Sequence, residues 1–184
     1  MNRLLARDQA ALLVIDVQER INAVMADQGH LPRIEVLVEA CKNLGVPVVG
    51  SEQYPQGLGP TVGSLAAALG VTPRGKLTFS CFRDKDLRVE MESTQKPQFL
   101  VTGIETHVCV TQTVLDLLAA GYQVHVPQDA VNSRRSADKI WALRRMARAG
   151  AVITSTESAL FELVERCDTA DFKMVAKLVK RIPV

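Results

Sequence analysis

The chain has 184 residues, of which 47% are hydrophobic and 23% charged, with a formal net charge of +2 at pH 7. Those values describe one soluble globular domain spanning 1–184 with a sizeable core. They argue against a nucleic-acid or acidic-membrane partner, and no apolar run approaches the roughly 20 residues a bilayer demands. The opening MNRLLARDQA lacks the apolar stretch of a secretory signal. Four cysteines without a CxxC pair suggest neither a disulfide framework nor a zinc site. A reducing, cytoplasmic location is expected, with an organelle lumen as the alternative if a targeting segment has been removed.

Residues 10–15, AALLVI, form a continuous apolar run that ends at Asp16. Such a run predicts a strand buried on both faces of a parallel sheet. The spacing of Ile34, Leu37, Val38, Cys41 and Leu44 predicts a helix over 32–44, stopped by Gly45, with Cys41 in the core. A second strand is expected over 46–50. Ser51-Glu52-Gln53-Tyr54 then opens a polar, Pro/Gly-rich loop to Gly63, long enough to suggest a functional role. A short helix over 64–69, a strand over 76–80 and a charged helix over 84–92 follow.

The stretch FLVTGIETHVCVTQTVLDLLAA, residues 99–120, is the most informative. An apolar strand breaks at Gly103 and leads into a helix predicted from Thr106 to Ala120, with Cys109 in its first turn. A helix N-terminus favours negative charge, so a thiol there loses its proton more readily than a free one and becomes a candidate nucleophile. Val110, Val114, Leu117 and Leu118 make the buried row; Cys109 shares a row with Gln112, Thr113 and Asp116, so periodicity gives it no core role. His107 lies two residues away, on nearly the opposite side of a helix, and reads as a packing or hydrogen-bonding residue.

Further strands are expected over 122–126 and 151–153, and a helix over 137–149 sets Trp141 and Leu143 among three arginines. Thr154 with Glu157 forms a capping-box pattern for the next helix, whose row Leu160, Leu163, Val164 and Cys167 reads as core. The last helix, 171–180, sets Phe172, Val175, Ala176 and Val179 against Lys173, Lys177 and Lys180, which read as a solvated face. Strands alternating with helices predict a three-layer α/β/α fold around a six-stranded, mostly parallel sheet. Ligands bind such sheets beyond the carboxyl ends of strands where the order reverses. With the order 3-2-1-4-5-6, that point lies between strands one and four and brings Asp16 to Cys109.

Three short motifs occur in order: Leu13-Val14-Ile15-Asp16-Val17-Gln18, Gly75-Lys76-Leu77-Thr78-Phe79-Ser80 and Gly103-Ile104-Glu105-Thr106-His107-Val108-Cys109-Val110. Together with Ser51-Glu52-Gln53-Tyr54-Pro55-Gln56-Gly57-Leu58-Gly59, they resemble the isochorismatase-like cysteine hydrolases, and most closely the isochorismatase-domain-containing branch. The resemblance covers nearly the whole chain. It implies the six-stranded fold and a triad of Asp16, Lys76 and Cys109. It also implies a cis Ile104–Glu105 peptide bond, and an oxyanion hole built from the backbone N–H groups of Glu105 and Cys109. Gln18, Gln53, Tyr54 and Phe82 are expected to wall the substrate pocket.

Departures narrow the activity. Nicotinamidases of the superfamily carry an Asp/His metal site, but this chain has only His30, His107 and His125 and no Asp-x-His after strand two. No metal or other cofactor is therefore expected. True isochorismatases lack the nucleophilic cysteine, so Cys109 argues against isochorismate. The expected function is a cofactor-free hydrolase of small amides or related acyl compounds, in a homo-oligomer of two, four or more copies. The alternatives are a catalytically idle binding protein and a ribonuclease-like role, the latter disfavoured by the small net charge and the lack of an aromatic-basic patch.

Overall fold

The structure, a computed structural model, describes residues 4–182. In chain order the elements are β1 (Ala10–Ile15), α1 (Glu19–Asn22), α2 (His30–Leu44), β2 (Val48–Gln53), α3 (Pro55–Leu58), α4 (Gly63–Leu69) and β3 (Arg74–Lys76). A 3-10 turn at Cys81–Arg83 leads to α5 (Lys85–Ser93) and β4 (Gln98–Ile104). A π-helical turn, Thr106–Val110, then leads to α6 (Thr111–Ala119), β5 (Gln123–Pro127), β6 (Val131–Asn132), α7 (Ser136–Ala149), β7 (Val152–Thr154), α8 (Thr156–Val164) and α9 (Ala170–Val179).

The sheet runs β3-β2-β1-β4-β5-β7, with β6 paired to β4, and all its strand pairs are parallel. This is the expected order with one addition: the two-residue β6, too short to leave a periodic signal. Alternate residues of β1 serve opposite cores. Ala10, Leu12 and Val14 pack with α2, α4, α8 and α9 on one face. Ala11, Leu13 and Ile15 pack with α5, α6 and α7 on the other. Continuous hydrophobicity in β1 thus reflects a strand covered on both sides. Among the described residues no helix is long and apolar enough to cross a membrane.

Several local expectations are corrected. The third strand is Arg74–Lys76 rather than 76–80, because the Lys76 ammonium folds back onto the Thr78 and Phe79 carbonyls and turns the chain there. The second strand lies later than expected, at Val48–Gln53, in register with β3 through Ser51, Glu52 and Gln53. The helix cap after β7 is Ser155, whose side chain accepts from Ser158 N, while Thr154 remains in the strand. Cys167 is exposed: α8 stops at Val164, Glu165 takes φ 60°, and the apolar row never reaches it.

Candidate active site

β1 and β4 approach closely at their carboxyl ends, where Ile15 is registered with Gly103. A Cβ on Gly103 would lie 2.1 Å from the Ile15 carbonyl oxygen, and Gly103 has φ 116°, so only glycine fits. Asp16 follows immediately with φ 54°, an uncommon left-handed conformation for a residue other than glycine. Its backbone N–H donates to Ser51 O at 3.0 Å, anchoring the turn. The peptide bond Ile104–Glu105 is cis.

The three strand ends bring Asp16, Lys76 and Cys109 into one buried cluster. Lys76 Nζ donates to Asp16 Oδ2 at 2.7 Å and to Gln53 Oε1 at 2.6 Å, and also reaches the Thr78 and Phe79 carbonyls. Both charged side chains are 0% exposed. Ser51 Oγ donates to Asp16 Oδ1 at 2.7 Å, so each carboxylate oxygen has a donor. Gln53 Nε2 donates to Leu77 O at 3.0 Å, which fixes the amide with its oxygen toward Lys76 and Cys109. Cys109 is buried, with its thiol 3.9 Å from Gln53 Oε1.

The electrostatics reverse one expectation. Burial, reinforced by the Asp16 charge and hydrogen bond and opposed by Lys76, holds the Cys109 thiol well above its ordinary range. Cys109 lies within a π-helical turn rather than the first turn of an α-helix, and is walled by apolar side chains. The resting side chain is therefore a thiol beside a carboxylate. Burial also works against the Lys76 charge, but the charge and hydrogen bond of Asp16 outweigh it and raise that ammonium above its usual range.

A family model described as the isochorismatase domain matches residues 10–158. Isochorismatase domain-containing protein 2 of Bos taurus is 39% identical over 172 residues, covering 92% of this chain and 82% of that protein. The chain belongs to the isochorismatase family. A solved structure described as the MAR1 ribonuclease of Caenorhabditis elegans superposes on this isochorismatase-family chain with a TM-score of 0.91. It is 34% identical and covers 98% of this chain and 95% of that one. The YcaC gene product of Escherichia coli, described as an octameric hydrolase of unknown specificity, has a TM-score of 0.91 at 23% identity, covering 97% of this chain and 90% of that one. At that identity it demonstrates the shared fold.

Within this isochorismatase fold the expected pocket residues separate. Gln18 is fully buried and braces the loop: its Nε2 donates to Gln53 O and Gly59 O, and its Oε1 accepts from Gln53 N. Gln53 belongs to the charged cluster. Tyr54, 51% exposed, stands with Pro55, Gln56, Gly75, Leu77 and Thr78 around a cleft of about 490 Å³ that reaches Lys76. Phe82 points elsewhere, edge-on to Tyr122 and beneath Arg88. Glu105 is buried, and its carboxylate takes the Arg134 backbone N–H together with Arg134 Nε and Nη2; it ties down the turn. His107 Nδ1 lies 3.0 Å from Ser133 Oγ, away from the cluster.

Two members escaped sequence reasoning. Ser51 was legible only as a neighbour of Gln53, although strand alternation puts the two on one face. Cys81 lies 3.4 Å from Ser51 Oγ, and burial beside Asp16 pushes its thiol up to about 11. Its backbone N–H donates to Thr113 Oγ1, which in turn donates to Cys109 O. Among the described residues no cluster of three or more histidine, cysteine or carboxylate side chains is set to hold a metal ion.

Proposed function

We propose that this isochorismatase-family hydrolase is a cofactor-free cysteine hydrolase that cleaves the acyl C–N bond of a small amide or related compound through a thioester. The observation that carries this reading is the fully buried Asp16–Lys76 ion pair beside the Cys109 thiol. Asp16 takes the thiol proton as Cys109 Sγ bonds to the carbonyl carbon. Lys76 holds the carboxylate in place and offsets the charge that develops nearby. Backbone N–H groups of Glu105 and Cys109 receive the oxyanion. The C–N bond then breaks and the leaving nitrogen takes the proton from Asp16. Water, giving its proton to Asp16, attacks the thioester; the acid leaves and the proton returns to sulfur.

The test is a panel of small amides, carbamates and esters assayed with wild type and Cys109→Ser. Mass spectrometry follows the acyl adduct on Cys109. Turnover without any adduct, or turnover that survives Cys109→Ser, sinks the reading; an idle binding protein would give neither turnover nor adduct. The name of the nematode relative supports a second reading, cleavage of RNA. Against it stands geometry: Asp16 and Lys76 are 0% exposed, which suits a small molecule better than a polymer backbone. An RNA oligonucleotide in the same panel separates the two. We also propose a homo-oligomer, and the free cysteines fit a reducing compartment, which we take to be the cytoplasm.

A further inference from the structure

The outer face of α7 has no part in the site above, and its side chains are unusual for this molecule. On a helix, positions 141, 144, 145 and 148 fall on one stripe. They are Trp141, Arg144, Arg145 and Arg148, all exposed. The opposite side of α7 buries Ala142 and Met146. Trp141 is 61% exposed, beside Ile140, and the Arg144 guanidinium sits 5.0 Å from its ring centroid. The helix's only acid, Asp138, is half-buried and borders the stripe one turn before Trp141, where its charge acts on Arg134.

Among the described residues the arginines before Arg135 and after α7 are engaged. Arg7, Arg33, Arg74, Arg83, Arg88, Arg134, Arg166 and Arg181 all make ion pairs, and Arg20 donates to Gly57 O. Among the described residues the side chains of Arg135, Arg145 and Arg148 have no hydrogen-bond, ion-pair or ring partner, and that of Arg144 has only Trp141. The whole-chain charge of +2 conceals this local concentration.

We propose that this face of α7 binds single-stranded nucleic acid, with Arg144, Arg145 and Arg148 on phosphates and Trp141 stacked on a base. A guanidinium fork matches phosphate oxygens, and an exposed indole accepts any base face. The pairing of an exposed aromatic with unpaired cations is what a single strand offers partners for on both counts. An anionic lipid surface would satisfy the cations but asks for a broad apolar face, and this helix offers only Ile140 and Trp141 as large exposed apolar groups. The expectation of no nucleic-acid partner rested on the small net charge, which averages this helix away, and on the lack of an aromatic-basic patch, which Trp141 with Arg144, Arg145 and Arg148 supplies. The surface is separate from the thiol chemistry, so either proposal can fail without the other.

Trp141 is the only tryptophan, so its fluorescence reports the surface directly. The full chain is titrated with a fluorescein-labelled oligouridylate 12-mer, reading anisotropy, and with the unlabelled strand, reading Trp141 emission. Binding with quenched emission is expected. Its log-log salt slope should be about −2, near −0.7 for each of three phosphates. Trp141→Leu should weaken binding roughly 5- to 100-fold. Reversing Arg144, Arg145 and Arg148 to Glu should abolish it, while Lys at those positions retains most of it. If the triple reversal does not fold, Arg145→Gln and the quenching carry the same test. Undiminished binding by Trp141→Leu, by the charge-reversed protein or by Arg145→Gln, an unquenched Trp141, or no binding at all overturns the proposal. So does capture by phosphatidylserine vesicles in preference to the strand, or a dimer that buries Trp141.

Discussion

Two buried polar centres flank the same strands and treat their hydrogen bonds differently. Around His30, donors and acceptors match. Asn132 Nδ2 donates to His30 Nδ1 at 3.2 Å, which leaves the ring proton on Nε2 to donate to Asn22 Oδ1 at 2.8 Å. Asn22 Nδ2 donates to Gln28 Oε1, Gln28 Nε2 donates to the Asn22 backbone carbonyl, and Asn132 also donates to Asp27 O and accepts from Ser133 N. The network is neutral: burial lowers the His30 pKa to about 4. Around Asp16 the charges are retained, and one thiol keeps only long contacts. A saturated neutral network stiffens a loop. A charged one with a loosely held proton is equipped to move that proton.

The sharpest way to break this contrast is Asp16→Asn. Turnover should fall about 10³-fold or more as the proton acceptor disappears, comparable to Cys109→Ala. Iodoacetamide labelling of Cys109 should nevertheless accelerate, because the charge that raises its pKa is gone while Lys76 remains. Unchanged turnover would mean that Asp16 is no base, and labelling that slows instead would mean that its charge does not hold the proton on Cys109. The same variant leaves a buried Lys76 without its counter-charge, so chemical denaturation should report a loss of about 3–5 kcal/mol. Adding Lys76→Met should restore much of that stability and none of the activity.

His30 tests the other centre through pH. Its folded pKa lies below the unfolded value near 6.5, so the unfolded chain takes up the proton first as pH falls. The contribution is complete above pH 6.5 and is lost progressively down to about 4, amounting to about 3 kcal/mol. Urea midpoints across that range should show a steeper decline for wild type than for His30→Gln. A parallel decline would mean that His30 is not the titrating group. Smaller still, Asn22→Ala should cost about 1–3 kcal/mol by orphaning the ring N–H, with kcat/KM unchanged within about twofold.

Legibility in the sequence followed the length of the signal. The long buried strands carry continuous apolar runs, so topology could join Asp16 to Cys109 across the chain. Lys76 had no such signal; β3 is three residues long, and only the family resemblance singled it out. The π-helical turn adds a residue per turn that an α-helical reading of 106–120 does not contain, which is why Cys109 was assigned no core environment yet lies in one. Cys167 failed for the opposite reason: its apolar row was real, but the helix ended before it. Gln18 and Phe82 carry no periodic signal that says which way a side chain turns; Gln18 braces the loop and Phe82 packs on Tyr122.

The clearance at Gly103 carries a consequence for anyone reshaping this protein. The spacing between acid and thiol is set by two main chains in contact at Ile15 and Gly103, with no side chain between them to trim or extend. A wall residue such as Tyr54 stands outside that contact, like the jaw of a tool. The pivot has no adjustment, so new substrates must be fitted around a fixed gap.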